Sequence, residues 1–125
     1  MYQICARIRF AAAHRLDGYQ GACSNIHGHT WTVKACVAAS ACDEIGIAYD
    51  FKDLKKLLKD IIDRFDHQLL NECPPFDLMN PTSENIAKTI FQQLKAKLPP
   101  KINMSYIEVN ESENYGIIYS EDEPC

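Results

Sequence analysis

The sequence predicts a single α+β domain over residues 1–125, in which an antiparallel β-sheet packs against two helices. Apolar and polar residues alternate in four segments, two towards each end of the chain, and this period of two is typical of β-strands. Two central segments instead repeat apolar residues at helical spacing, and a pair of prolines follows each. Because the strands and helices are grouped apart, we expect a four-stranded antiparallel sheet with both helices on one face.

The predicted order of elements is ββααββ. The strands are predicted over residues 2–14, 29–42, 103–111 and 115–120. The first helix is predicted over residues 51–65 with Asp50 as its N-cap, and the second begins after Pro81 with Thr82 as its cap. A sheet covered on one face leaves its other face and both edges open, which favours an oligomer.

The composition excludes several classes of protein. Thirteen Lys and Arg against seventeen Asp and Glu give a net charge of −4, so no nucleic-acid or membrane-surface binding is expected, although a small anionic substrate stays open. No apolar run approaches the ~18 residues of a membrane span. The first ten residues alternate apolar and polar side chains and include two arginines, unlike a secretory signal peptide. We therefore expect a cytoplasmic protein.

All six cysteines are expected to be reduced thiols, because the cytosol is reducing and none of them forms a CxxC pair. They are Cys5, Cys23, Cys36, Cys42, Cys73 and Cys125. Cys5 and Cys36 fall in predicted strands, where each is interpreted as a small buried hydrophobic residue.

Three of the four histidines have the spacing of metal ligands. His27 and His29 flank Gly28, and an extended chain directs both imidazoles to the same side. His14 ends the preceding strand, and an antiparallel neighbour can bring it to the same point. Three neutral imidazoles without a fourth protein ligand are typical of a catalytic zinc site, which keeps a position open. Each histidine alone is more often a surface or core residue, so the prediction depends on the set.

Cys23 lies four residues before His27 in a loop rich in Gly, Ser and Asn. Beside a dication its thiolate would be stabilised, and it could act as a base or a nucleophile. Two alternatives stay open. Cys23 could be a fourth zinc ligand, which would make the site closed and structural, or it could be an ordinary loop thiol.

Asp66 and His67 fall at the end of the first predicted helix, where an imidazolium would interact with the helix dipole. Adjacent residues of a helix do not face each other, so a direct Asp66–His67 pair requires that the helix has already unwound.

Glu111 ends the third predicted strand, and its position in the alternation places its side chain on the same face as apolar Ile107 and Val109. An inward carboxylate needs a partner. That partner is either a ligand with two adjacent N–H donors or a structural Arg or Lys.

Taken together, these segments resemble the 6-pyruvoyltetrahydropterin synthase family. The resemblance rests on Phe10-Ala-Ala-Ala-His14, Cys23-x3-His27-Gly-His29, Asp50-Phe51, Asp66-His67-x-x-Leu70-Asn71, Asn80-Pro-Thr-Ser-Glu-Asn-Ile-Ala87 and Val109-x-Glu111-Ser112. It runs from the first strand to the last, and the combination is far more specific than any single segment.

The resemblance implies the tunnelling fold, in which trimers close a β-barrel and two trimers stack into a homohexamer. It implies zinc as the cofactor, held by His14, His27 and His29. The family's substrate is a small molecule, 7,8-dihydroneopterin triphosphate.

The resemblance also implies roles for the remaining site residues. Cys23 would be the residue that removes a proton, and Asp66 with His67 would be a second acid/base pair provided by a neighbouring subunit. Glu111 would anchor the pterin ring through its amino and ring N–H groups.

The three residues between Cys23 and His27 resemble the carboxy-forming members of the family, which serve queuosine biosynthesis. The implied reaction gives 6-carboxytetrahydropterin, acetaldehyde and triphosphate, so the protein would be a carbon–carbon lyase. One alternative is a synthase that makes 6-pyruvoyltetrahydropterin from the same substrate. Another is a zinc- or pterin-binding protein without turnover, against which the presence of Cys23 and His67 argues.

Overall fold

A computed structural model describes residues 1–121, which form five strands and two α-helices. The strands are β1 (Tyr2–His14), β2 (His27–Ala39), β3 (Gln68–Leu69), β4 (Asn103–Asn110) and β5 (Gly116–Tyr119). The helices are α1 (Phe51–Ile62) and α2 (Ser83–Lys97), and short 3-10 turns lie at Ala22–Ser24 and Leu70–Glu72. The α+β class is confirmed.

The strands form one sheet in the order β3-β1-β2-β4-β5. β1 and β2 pair antiparallel along their whole length, from Tyr2 opposite Ala39 to His14 opposite His27. The prediction of four strands is wrong by one, because β3 pairs parallel with Ala12 and Ala13 of β1. A strand of two residues is too short for alternation to reveal it.

Two predicted boundaries also move. β2 begins at His27 and ends at Ala39, so it includes both histidines of the His-Gly-His segment. α1 ends at Ile62, three residues before its predicted end, and residues 63–67 form turns. This early end matters for the site, because it frees the backbone of residues 66 and 67 from helical geometry.

Both predicted helix caps are present. The Asp50 side chain accepts a hydrogen bond from Lys52 N at 2.8 Å, and Thr82 Oγ1 accepts one from Asn85 N at 3.1 Å. The helices cover the face of the sheet on which Trp31 and Val33 are fully buried. Neither helix, nor any other in residues 1–121, is long and apolar enough to cross a membrane.

The prediction that every cysteine is a free thiol is wrong for two of them. Cys5 of β1 and Cys36 of β2 form a disulfide. They are direct partners in the β1–β2 register with Cα atoms 4.3 Å apart, and the patterns of the two separate strands could not reveal this register. Cys23, Cys42 and Cys73 are free thiols, while Cys125 lies outside the described residues.

Candidate active site

The β1–β2 hairpin brings the three predicted histidines together. His14 is the direct partner of His27, and His29 is the partner of Ala12, two residues before His14 on the same face. The imidazole rings of His14 and His27 have centroids 4.6 Å apart, and those of His27 and His29 are 4.8 Å apart. Alternation along two paired strands is therefore sufficient to assemble the cluster.

The ring nitrogens of the cluster converge on one point, and Glu111 joins them. One ligand atom from each of His14, His27, His29 and Glu111 lies within 4.8 Å of the others. Glu111 immediately follows β4, and its Oε1 is 2.7 Å from His29 Nε2, 3.3 Å from His14 Nε2 and 3.9 Å from His27 Nε2. The sequence shows no fourth ligand beside the three histidines, and the turn between β4 and β5 places the Glu111 carboxylate next to them.

Two of the converging nitrogens have the environment of metal-ligand atoms. Within residues 1–121, His14 Nε2 and His29 Nε2 are buried without a hydrogen-bond partner, although a Glu111 oxygen lies close to both. A buried polar atom left unpaired is costly, so such atoms are rare in proteins unless something binds them. Imidazole nitrogens and a carboxylate are ligands that zinc prefers, and the cluster therefore fits the metal that the sequence predicts.

The opposite nitrogens of two rings fix the tautomer that a metal needs. His14 Nδ1 lies 2.8 Å from the carbonyl oxygen of Pro81, and His27 Nδ1 lies 2.7 Å from that of Asn25. A carbonyl can only accept, so each Nδ1 carries the hydrogen and each Nε2 of a neutral ring presents its lone pair to the cluster.

The surroundings of His29 favour its neutral form by lowering its pKa. Burial lowers the pKa of His29, and the neighbouring His14 and His27 lower it further, against the opposing effect of Glu111. Beneath the cluster, the fully buried Trp31 packs edge-on against His14 and His29. The rings are therefore preorganised by packing as well as by hydrogen bonds.

Cys23 lies in the 3-10 turn of the loop between β1 and β2, and it is half-buried. Its sulfur is not part of the group of converging ligand atoms, in which Glu111 takes the fourth place. Cys23 is therefore not a fourth ligand of this group in the structure.

Asp66 and His67 form the direct pair that the sequence allowed only for an unwound helix. His67 Nδ1 lies 2.9 Å from Asp66 Oδ1, and His67 has a left-handed backbone with φ of 60°. The pair is attached to β1, because Ala11 N donates to Asp66 Oδ1 and His67 N donates to the Ala11 oxygen. The His67 side chain is 80% exposed and is not part of the histidine–glutamate group.

Several residues that shape the site could not be assigned from the sequence. The carbonyl of Pro81 is 67 positions from its partner His14, and no spacing rule connects them. Asn71 and Asn80 belong to segments that carry the family resemblance, but only the structure shows that their side chains bind the loop that contains Cys23.

Comparison with known proteins agrees with this site. Residues 3–122 match the family model described as 6-pyruvoyl tetrahydropterin synthase. A Bacillus subtilis protein named 6-carboxy-5,6,7,8-tetrahydropterin synthase is 36% identical over 102 residues, which cover 78% of this chain and 68% of that protein. A Rickettsia bellii protein of the same name is 32% identical over 115 residues, which cover 78% of this chain and 83% of that protein.

The fold has the same relatives. The structure of Caenorhabditis elegans 6-pyruvoyl tetrahydropterin synthase superposes with a TM-score of 0.85 at 25% identity, covering 97% of this chain and 96% of that one. The subunit fold that the resemblance implies is thereby confirmed. The chain belongs to the 6-pyruvoyl tetrahydropterin synthase family and is a lyase of that family.

Proposed function

We propose that the protein is a zinc-dependent lyase that converts 7,8-dihydroneopterin triphosphate and water into 6-carboxytetrahydropterin, acetaldehyde and triphosphate, as a step of queuosine biosynthesis in the cytoplasm. The observation that carries the proposal is the convergence of three histidine Nε2 atoms, two of them buried without a hydrogen bond, in a member of a pterin synthase family. The names of the Bacillus and Rickettsia relatives support the carboxy-forming reaction.

Zinc would be held by His14, His27 and His29, whose Nε2 atoms converge on one point. Bound there, it would supply Lewis-acid polarisation of the substrate's side-chain oxygens and make the neighbouring C–H bonds acidic.

The proton transfers are assigned to residues outside the ligand set. Cys23, as its thiolate, would remove a proton from the substrate side chain. His67 would move a second proton at Nε2, because its Nδ1 is already paired with Asp66 Oδ1 at 2.9 Å. Asp66 in turn would fix the orientation of the ring and stabilise its protonated form, as a carboxylate does for a general acid/base histidine.

Glu111 would bind the substrate's N–H donors through its carboxylate. Its side chain is 29% exposed and reaches the histidine cluster, so a molecule bound at the metal would meet it. The same position allows Glu111 to act as a fourth zinc ligand when no substrate is present.

We further propose a homohexamer as the active unit. His67 is exposed and is not part of its own chain's histidine–glutamate group, which supports its use by the site of a neighbouring subunit. An assembly would also cover the open edges of the sheet.

A second candidate is a synthase that makes 6-pyruvoyltetrahydropterin from the same substrate. It is favoured by the structural similarity to the C. elegans enzyme, whose name states that activity. The two candidates share their site residues and differ in which carbon–carbon or carbon–oxygen bonds of the side chain are broken.

The test is incubation of the zinc-loaded protein with 7,8-dihydroneopterin triphosphate, followed by mass spectrometry of the products. We expect 6-carboxytetrahydropterin and acetaldehyde, and we expect Cys23→Ala to slow turnover by the ~10²–10⁴-fold typical of a lost general base. Cys42→Ala, which removes an exposed thiol, is the matched control and should keep the wild-type rate.

The outcomes separate the candidates. If 6-pyruvoyltetrahydropterin forms without acetaldehyde, the carboxy-forming assignment is wrong and the second candidate is correct. If no triphosphate is released, both are wrong.

A further inference from the structure

Two asparagine side chains attach the loop between β1 and β2, residues 15–26, to the rest of the protein. Asn71 accepts from Arg15 N at 2.9 Å through Oδ1 and donates to the Arg15 oxygen at 3.0 Å through Nδ2. Asn80 does the same for Asp17, at 3.0 Å and 2.7 Å. Each amide thus satisfies both backbone groups of one loop residue, as a neighbouring strand would.

These attachments lie one hydrogen bond away from Cys23. Leu16 stands between the two anchored residues, and its N–H donates to the carbonyl oxygen of Cys23 at 2.8 Å. The far half of the loop is closed on itself, because Ser24 N donates to the Gly21 oxygen and Asn25 N donates to the Ala22 oxygen. The position of the turn that contains Cys23 therefore depends on the first half of the loop, which the two asparagines hold in place.

The anchor at Asn80 is itself fixed to the helix and to the metal cluster. The Asn80 carbonyl accepts from Asn85 Nδ2 at 2.8 Å, and the backbone N–H of Asn85 is bound by the capping Thr82. The next residue, Pro81, provides the carbonyl that binds His14 Nδ1 at 2.8 Å. The turn that precedes α2 therefore contacts His14 through Pro81, and it contacts the loop that contains Cys23 through Asn80.

From these contacts we infer that Asn71 and Asn80 are positioning residues for Cys23, which hold its loop in a fixed place relative to the histidine cluster. The inference rests on the proposed role of Cys23 as the proton-removing group. It requires the amide at both positions, because a carboxylate can accept from the loop N–H but cannot donate to the loop carbonyl. The isosteric changes Asn71→Asp and Asn80→Asp therefore remove one hydrogen bond each without changing side-chain size.

The first measurement does not require turnover. Iodoacetamide is added to the zinc-loaded protein, and the alkylation rates of Cys23 and Cys42 are followed separately by peptide mass spectrometry. We expect Asn80→Asp and Asn71→Asp each to raise the rate of Cys23 alkylation about tenfold, because the loss of one ordinary hydrogen bond corresponds to a factor of about that size. Exposed Cys42 is the internal reference and should react at its wild-type rate. Asn103→Asp, at an exposed position at the start of β4, is the matched control.

The second measurement is turnover of 7,8-dihydroneopterin triphosphate. Both anchor variants should show a kcat about tenfold lower, with KM and zinc content within twofold of wild type. The reason is that the Cys23 thiol is displaced, whereas the residues that bind substrate and zinc are unchanged. If the wild-type protein does not turn over this substrate, the proposed function fails, and the alkylation rates still decide the role of the asparagines.

Two results would overturn the inference. The first is an unchanged Cys23 alkylation rate in both anchor variants. The second is an acceleration of the half-buried Cys73, followed in the same experiment, equal to that of Cys23 in both variants, which would mean that Asn71 and Asn80 stabilise the whole fold and not the loop.

Discussion

His27 and Glu111 approach the same point of the site with different chemistry. His27 presents its imidazole Nε2, because its Nδ1 is hydrogen-bonded to the Asn25 carbonyl. Glu111 presents a carboxylate oxygen to all three histidines, from a turn that carries no other member of the cluster. A metal and a pterin ring would compete for this carboxylate, whereas only a metal would use the imidazole.

We therefore predict that His27→Ala loses most of its zinc, while Glu111→Gln keeps zinc and raises the KM for the pterin substrate by about tenfold or more. The reason is that a lost hydrogen bond to a charged group costs about 1.5–3 kcal/mol. Zinc is measured by metal analysis of the purified protein, with about one ion per chain expected for the wild type. His67→Ala, which changes a histidine outside the cluster, should retain the full amount.

Loss of zinc from Glu111→Gln as complete as that from His27→Ala would show that Glu111 is a structural ligand and not a substrate anchor. Circular dichroism should show that both variants stay folded, because His27 and Glu111 are partly exposed at the end of the sheet and outside the apolar core.

The residues of the site differ in how far the sequence could reveal them. His27 and His29 are two positions apart on one strand, so alternation alone predicts that their rings share a face. The approach of Glu111 depends on the β2–β4 pairing and on the turn that follows β4, and the contact of His14 with Pro81 depends on how α2 is placed. Contacts of this kind are set by tertiary packing, which leaves no period in the sequence.

Among the secondary-structure elements, α1 and α2 were predictable because their caps and apolar stripes are local signals. β3 was not, because its two residues are defined only by their contact with β1. The disulfide between Cys5 and Cys36 was not predictable from the sequence for a related reason. Each cysteine fits its own strand, and only the register between the strands brings them together.

The cap of α1 gives a prediction about stability without an effect on the site. Asp50→Ala removes the acceptor for Lys52 N and should lower the free energy of unfolding by about 1 kcal/mol, the usual cost of a lost N-cap. Urea denaturation at a fixed protein concentration measures the change, and zinc content should stay at the wild-type level. Asp60→Ala, on an exposed position of the same helix, is the control and should change stability by less than about 0.5 kcal/mol. Equal losses for the two variants would contradict the role of Asp50 as a cap.

At the scale of the whole molecule, the sheet is incomplete at its edges. β3 covers only Ala12 and Ala13 of β1, and within residues 1–121 the rest of the outer edge of β1 has no strand partner. Among the described residues, no strand pairs with the outer edge of β5 on the other side of the sheet. Backbone groups on such edges are available to pair with another chain.

We predict that the protein sediments as a particle of about six chains of 14.2 kDa each, as the family resemblance implies. Analytical ultracentrifugation over a range of concentrations gives the mass. The hexamer should also be the active form, because each site would use Asp66 and His67 of a neighbour. A monomer with full activity would contradict both the assembly and the shared site.

The pairing of His14 with His27 makes metal uptake a reporter of how the hairpin is aligned. A slip of β2 by one residue would turn every side chain of that strand to the opposite face, so that two of the three imidazoles would leave the cluster. A misaligned chain can still be compact and rich in β-structure, and far-ultraviolet spectroscopy would not distinguish it from the native one. Stoichiometric zinc binding by refolded protein would distinguish them, and so the histidines would mark the correct alignment of two 13-residue strands as well as the proposed metal site.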